Sequence, residues 1–354
     1  MERWKIESPM RALYYPAFDS LDVRELPVPK APPGEVLLRV AACGLCGSEL
    51  ETFKTHNPRR TPPLVMGHEF CGTVEDTGSK EDQGWIGRRV VSNSVISCGV
   101  CPRCRRGDSH LCDRRQIFGM HRPGAFAEFV SVPTQALIPW PEDLPAQAAC
   151  LAEPLANGVH VVNLIRHLHV RRALVIGAGP IGLMCQQALQ VLLDGAEVIT
   201  CDLSPGRLEV AARLGAARTI CSGQTDVIAG VMDFTNGEGM DLVVDAAGAA
   251  ATKRLSLAAL RPGGATVWIG LHDNRMEIDT YEITLPEKQV FGTYAAKIDE
   301  LREAVDLMAR KKVDVTSWTD VVPLDQSVEV FHRMLRPGDR DIKAVVTLSN
   351  RPQT

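Results

Sequence analysis

Residues 172–192, R-A-L-V-I-G-A-G-P-I-G-L-M-C-Q-Q-A-L-Q-V-L, pass from a short apolar run through glycines at 177, 179 and 182 into a long apolar helix. A G-x-G-x-x-G match says little alone. Here a strand precedes it, a helix follows it, and Asp202 closes the next apolar run, E-V-I-T-C-D, twenty residues after Gly182. That order confines the segment to a strand, a tight turn and a helix of a parallel βαβ unit that binds a dinucleotide. The turn at Gly177, Gly179, Pro180, Ile181 and Gly182 lets backbone approach a pyrophosphate, which the free N–H groups of the helix N-terminus then hold. Asp202 is placed to accept from both ribose hydroxyls and to repel a 2′-phosphate, so NAD is expected over NADP. Arg207 works against that preference, because a nearby cation tolerates the extra phosphate.

Around this unit the chain changes character once. Up to about Pro145 it reads as many short strands (R-A-L-Y-Y-P-A-F, E-V-L-L-R-V-A-A-C, R-R-V-V-S-N-S-V-I) punctuated by Pro and Gly clusters. From L-A-E-P-L-A-N-G-V-H onward, apolar runs alternate with helical segments, the rhythm of helices around a parallel sheet. The tail adds two helices and a closing strand, D-I-K-A-V-V-T-L. At 354 residues the chain exceeds the size at which one hydrophobic core stops growing, so two domains are expected.

Composition is that of an ordinary globular protein, 45% apolar and 23% charged, with a formal net charge of −4. Nothing there calls for nucleic acid. The N-terminus lacks the apolar core of a signal peptide, and no apolar run is long enough to span a bilayer, so a cytoplasmic protein without a membrane partner is expected. In that compartment clustered cysteines bind metal more often than they form disulfides. Cys98, Cys101, Cys104 and Cys112 stand in C-x2-C-x2-C-x7-C spacing, which lets four thiolates converge on one tetrahedral cation. The final gap is longer than that of the bacterial ferredoxin pattern, which argues for zinc over an iron–sulfur cluster. Four sulfurs close the coordination sphere, so this zinc, in a lobe at about 96–113, is expected to be structural.

Further motifs sit at intervals along the chain: C-G-S-E at 46–49, G-H-E at 67–69, E-P at 153–154 and G-A-G-P-I-G at 177–182. Together with the cysteine lobe, in this order and at these separations, they make the whole chain resemble the zinc-containing medium-chain alcohol and polyol dehydrogenases, in particular the sorbitol dehydrogenase-like branch. The resemblance implies α/β plus β architecture. A GroES-like, partly open β-barrel catalytic domain (1–154 and 295–354) would carry an inserted Rossmann domain, a doubly wound parallel sheet spanning 155–294. It also implies a homodimer or homotetramer.

By the same resemblance, Cys46, His68 and Glu153 are ligands of a second, catalytic zinc, making two per chain. Glutamate at 153 is the polyol and threonine dehydrogenase alternative to cysteine. Ser48 would bond the substrate oxygen and pass its proton outward, Glu69 would stand behind His68 or visit the metal, and Asn157, Ile181 and Ile269 to Leu271 would line the nicotinamide pocket. Three protein ligands leave the fourth metal position open. Two positions depart from the family pattern. Glu49 stands where aspartate is common, and Glu51 stands where many members end the proton relay in histidine, so the relay would run through Glu51, another residue or water. The expected activity is reversible hydride transfer between a secondary hydroxyl of a polyol or sugar alcohol and NAD. Its alternatives are a threonine or phosphorylated-polyol dehydrogenase, of which the galactitol-1-phosphate enzyme is an example, and a zinc- and NAD-binding protein without turnover.

Overall fold

The computed structural model describes residues 9–338 and 340–348. Two compact units emerge, one built from the chain up to Glu153 plus Ala296–Lys311 and the segment from Val315, the other from Pro154–Ala295 with Lys312–Asp314.

In the first unit the strands are β1 (Met10–Ala17), β2 (Ser20–Leu26), β3 (Glu35–Gly44), β4 (Leu64–Val65), β5 (Glu69–Thr77), β6 (Arg89–Ser92), β7 (Val95–Ile96), β8 (Gln116–Ile117), β9 (Phe129–Pro133), β10 (Leu137–Pro139), and, much later, β17 (Thr319–Pro323) and β18 (Lys343–Thr347). Its helices are α1 (Gly47–Thr55), α2 (Pro102–Arg105), α3 (Ala146–Ala149), α10 (Ile298–Ala309) and α11 (Ser327–Met334), and α4 (Ala152–Ile165) leads out of it. The main sheet runs β10-β6-β5-β3-β18-β17, with β9 also on β3, and a smaller sheet runs β2-β1-β4. β3 is long enough to serve two neighbours on one side, pairing with β9 through Glu35–Arg39 and with β18 through Ala42–Gly44. Two register shifts against β5, at Leu37/Leu38 and Val40/Ala42, bend it, as bulges do. Curled in this way, and bridged at Ala12–Ala127, the strands enclose one core in a partly open, GroES-like barrel. Tyr15, Leu38, Phe70, Phe118, Phe126 and Phe331 are fully buried there, and Phe70 meets Phe118 edge-on at 5.0 Å. Removing each such ring from water contributes roughly 2–3 kcal/mol.

The second unit is a six-stranded sheet of β11 (Arg172–Ile176), β12 (Glu197–Asp202), β13 (Arg218–Cys221), β14 (Met240–Asp245), β15 (Leu260–Trp268) and β16 (Gln289–Gly292). Every pairing is parallel, in the order β13-β12-β11-β14-β15-β16. That is the Rossmann order, which reverses direction beside the first strand and opens a crevice at the strand C-termini. Helices α5 (Pro180–Leu192), α6 (Pro205–Arg213), α7 (Val227–Thr235), α8 (Ala250–Ala258) and α9 (Tyr281–Thr284) complete the unit. Its strands are near-continuous apolar runs because both faces are covered: Val175 and Val244 pack with Cys185 and Leu189, and Leu174 and Val243 with Val227 and Val231. No described helix is long and apolar enough to cross a membrane.

Candidate metal and dinucleotide sites

β3 ends at Gly44 and α1 starts at Gly47, so the chain turns at Cys46 and presents it beside the start of β5, which Glu69 opens and His68 precedes. A sulfur of Cys46, a ring nitrogen of His68 and a carboxylate oxygen of Glu69 lie within 4.8 Å of one another. Glu49, fully buried one turn into α1, fixes this arrangement from behind. Its Oε1 accepts the Gly67 N–H at 2.8 Å and stands 3.0 Å from His68 Nδ1, while Oε2 accepts the Cys46 N–H at 3.0 Å. His68 is thereby left with Nε2 for Cys46. Burial opposes a charge on His68, but Cys46 on one side and Glu49 on the other raise its pKa well above the ordinary value. A thiol sulfur and an imidazole nitrogen held side by side form a donor set that suits a soft-to-borderline metal such as zinc.

Two carboxylates compete for the third position. Glu69 sits in the compact cluster, but its Oε2 is ion-paired with the Lys343 ammonium, which also donates to Leu45 O at 2.9 Å. Both partners are buried, at 2% side-chain exposure each. Glu153, at the first turn of α4, lies outside that tight trio. It feels the charges of His68 and Glu69 and takes a hydrogen bond from Ser94, and burial raises its pKa above the ordinary value. Glu69 is therefore already neutralised by a lysine, whereas a cation beside Glu153 would relieve the cost of its burial.

Ser48 stands over the cluster, its Oγ 3.3 Å from Cys46 Sγ. Glu51, one turn on, is exposed on α1. Cys43 is fully buried at the end of β3.

The four lobe cysteines come together as a second group. Sγ–Sγ separations are 3.4 Å for Cys101–Cys104, 3.8 Å for Cys101–Cys112 and 4.0 Å for Cys98–Cys104. A tetrahedron with metal–sulfur bonds of about 2.3 Å has edges of about 3.8 Å, so the sulfurs fit zinc. Peptide N–H groups point at them, Cys98 N and Arg114 N both donating to Cys112 Sγ at 3.4 and 3.3 Å. Hydrogen bonds led by the Val100 N–H pull the Cys98 thiol down to about 6.

In the second unit Gly177 takes φ +98° between β11 and α5. A Cβ on Gly182 would lie 1.7 Å from Gly177 O, so only glycine lets the helix sit so close to the strand. At Gly179 an added Cβ would meet nothing within 4 Å. The open space there, at the N-cap of α5, fits a pyrophosphate. Asp202, at the end of β12, accepts the Ala178 N–H at 2.6 Å and the Ser204 N–H at 2.8 Å. Arg207 lies in the first turn of α6, with its backbone N–H capped by Ser204 Oγ at 3.1 Å. Pro180 and Ile181 open α5, and Ile269 packs on the core just past β15. Leu271 is 72% exposed, and Asn157 is half-buried on α4.

Residues 32–142 match the family model described as "Alcohol dehydrogenase GroES-like domain", and residues 180–310 match that described as "Zinc-binding dehydrogenase". A D-arabitol-phosphate dehydrogenase of Enterococcus avium is 31% identical over 92% of this chain and 93% of its own length. The chain belongs to the zinc-dependent medium-chain dehydrogenases. An L-threonine 3-dehydrogenase of Pyrococcus abyssi is 36% identical over 75% of this chain and 76% of its own. Among solved structures, a putative zinc-binding dehydrogenase from Sinorhizobium meliloti, bound to NADP, superposes with a TM-score of 0.88 at 29% identity, covering 96% of this chain and 100% of the other. This medium-chain dehydrogenase is accordingly an oxidoreductase of the alcohol dehydrogenase type that binds NAD(P) and zinc.

Sequence reasoning missed two buried cations of this dehydrogenase. Lys343 stands in the apolar strand A-V-V-T that closes the sheet, and a lysine opening such a run was a legible anomaly. Arg60, 3% exposed, carries no such mark in its N-P-R-R-T-P-P loop. The substitution at Glu49, by contrast, is accommodated: the longer side chain still reaches His68 Nδ1.

Proposed function

We propose that the protein oxidises a secondary hydroxyl of a polyol or sugar alcohol to a ketone, reversibly, with NAD. In this reading Cys46, His68 and Glu153 hold one zinc and the four lobe cysteines hold another. The supporting observation is the packing of Cys46, His68 and Glu49 under Ser48, which fixes two metal donors and a hydroxyl close together. When bound, zinc supplies a Lewis acid that makes the substrate hydroxyl acidic near neutral pH, and NAD supplies a hydride acceptor. The chain does the rest. Glu49 holds the His68 tautomer, Lys343 holds Glu69 in place through their ion pair, and Ser48 receives the hydroxyl proton. Asp202 supports NAD, since its carboxylate would repel a 2′-phosphate. Pairing of two or four copies belongs to the same reading, and strand β16 pairs only with β15 among the described residues.

A phosphorylated polyol is the second reading, favoured by the similarity to the arabitol-phosphate enzyme. Threonine is disfavoured by Glu51, since the family's threonine enzymes are expected to carry histidine there. Following NADH formation with free polyols, sugar-alcohol phosphates, threonine and simple alcohols decides among these. Turnover of free polyols, lost in Cys46→Ser with NADH binding retained, is the expected result. Activity confined to phosphates or threonine would replace the substrate class. Silence with zinc and NAD both bound would favour a role without turnover.

A further inference from the structure

We propose that Arg60 is a positioning residue for proton transfer, filling one acceptor position of the Ser48 hydroxyl with a permanent donor and thereby fixing the direction in which that hydroxyl takes and gives a proton. The inference rests on the function proposed above.

Every arm of the Arg60 guanidinium is spent within reach of Ser48. Nε donates to Gly119 O at 3.0 Å, Nη1 to Ser48 O at 2.9 Å and Thr52 Oγ1 at 3.2 Å, and Nη2 to Ser48 Oγ at 3.0 Å. Thr52 Oγ1 donates in turn to Ser48 O at 2.9 Å, so its oxygen is free to accept from Arg60. A planar fork held at both ends in this way leaves the side chain little freedom. None of its four acceptors is a carboxylate, so its charge is not cancelled by its own hydrogen-bond partners.

The consequence lies in the donor count of Ser48. A hydroxyl has one proton and two lone pairs. Arg60 cannot release a proton and cannot accept one, so it occupies one lone pair at every stage. One lone pair and one O–H remain. At rest that O–H faces Cys46 Sγ at 3.3 Å; Ser48 is exposed, so with its other side held by Arg60 the O–H has only solvent to turn to. During oxidation the substrate hydroxyl gives its proton to the remaining lone pair as the Ser48 proton leaves to solvent water. One O–H bond forms on Ser48 as another breaks, and its charge is unchanged at the end. A fixed cation beside the oxygen also lowers the cost of negative charge gathering there midway. No histidine is needed at position 51 for this step. A guanidinium that served only to pin α1 to the loop at Gly119 would have no effect through the Ser48 hydroxyl, and that difference is measurable.

Protein stripped of metal and reloaded with cadmium-113 should give two NMR resonances, one from the four-sulfur lobe and one from the Cys46 site. Ser48→Ala shifts the second. Arg60→Gln, or Arg60→Met where the former does not fold, should shift it in the same direction with the lobe resonance unmoved. The double variant should shift it no further, because coupled residues are non-additive. On a secondary alcohol that turns over, Arg60→Gln should lower kcat about ten- to a hundredfold, raise the solvent deuterium isotope effect, and leave the KM for NAD unchanged. An Arg60 variant whose Cys46-site resonance stays in place, or shifts that add in the double variant, would overturn the proposal. A lobe resonance alone would overturn the catalytic-metal reading first, and this inference with it.

Discussion

Asp202 already gives one lone pair of each carboxylate oxygen to the chain, through the N–H groups of Ala178 and Ser204. Both oxygens keep further lone pairs, which in the proposed reading accept from ribose hydroxyls, and the two backbone bonds aim them. Asp202→Ala removes hydrogen bonds to a charged acceptor, worth about 1.5–3 kcal/mol. NADH binding, followed by fluorescence, should therefore weaken roughly ten- to a hundredfold, with NADPH weakened less. An unchanged ratio of the two affinities would place the ribose elsewhere. The aspartate was legible because its context is local: strand, glycine turn and strand end follow one another within about thirty residues, as the binding motif demands. Arg60 was not, because its meaning depends on where the loop of residues 57–63 lays its side chain against α1, and no local periodicity records that.

At the scale of elements, the cysteine lobe has almost no apolar core of its own. It is a two-residue strand pair, β7 with β8, one turn of α2 and a 3-10 turn at Ser109–Leu111. A bound cation must therefore supply most of the cohesion, as in small metal-dependent folds. On the proposed reading of two zinc sites, Cys101→Ser should lose one zinc by metal analysis and lower the melting temperature by roughly 5–10 °C, the effect of a few kcal/mol on a unit of about 200 residues. A variant with full melting temperature that had lost only turnover would make the lobe catalytic. Its spacing was open to reading because x2 gaps bring sulfurs together through backbone geometry alone. The change from a strand-rich first part to a parallel sheet with helices was legible for a related reason, since the switch from short strands to apolar runs with helices follows from which sheet faces are covered; the GroES-like topology of the first part came from the family resemblance of the motifs.

Across the molecule, the first unit is sewn together from distant parts of the chain. Lys343 of β18 reaches Glu69 over 274 residues and Leu45 over 298. Burial works against the lysine's charge, but Glu69 more than compensates and its pKa rises above the usual value. Lys343→Met would leave Glu69 buried without its counter-charge, a loss of about 3–5 kcal/mol. Calorimetry should show the first unit melting earlier while NADH, which the proposed reading places on the second unit, still binds; unaltered melting would mean that water screens Glu69. No reading of the chain in order could pair these residues, because neither neighbourhood names the other.

That long-range stitch also bears on how the molecule is made. Emerging from the ribosome, the barrel's first strands appear early, then the whole Rossmann segment, and β18 comes last. The parallel strands of the Rossmann sheet all lie within one stretch of chain, while β3 waits for β18, a partner that most of the chain must pass before meeting. Slow, non-local pairing of this kind exposes sticky edges, so the half-built barrel, with Cys46, His68 and Glu69 already translated, is the stage at which a nascent chain most needs a chaperone.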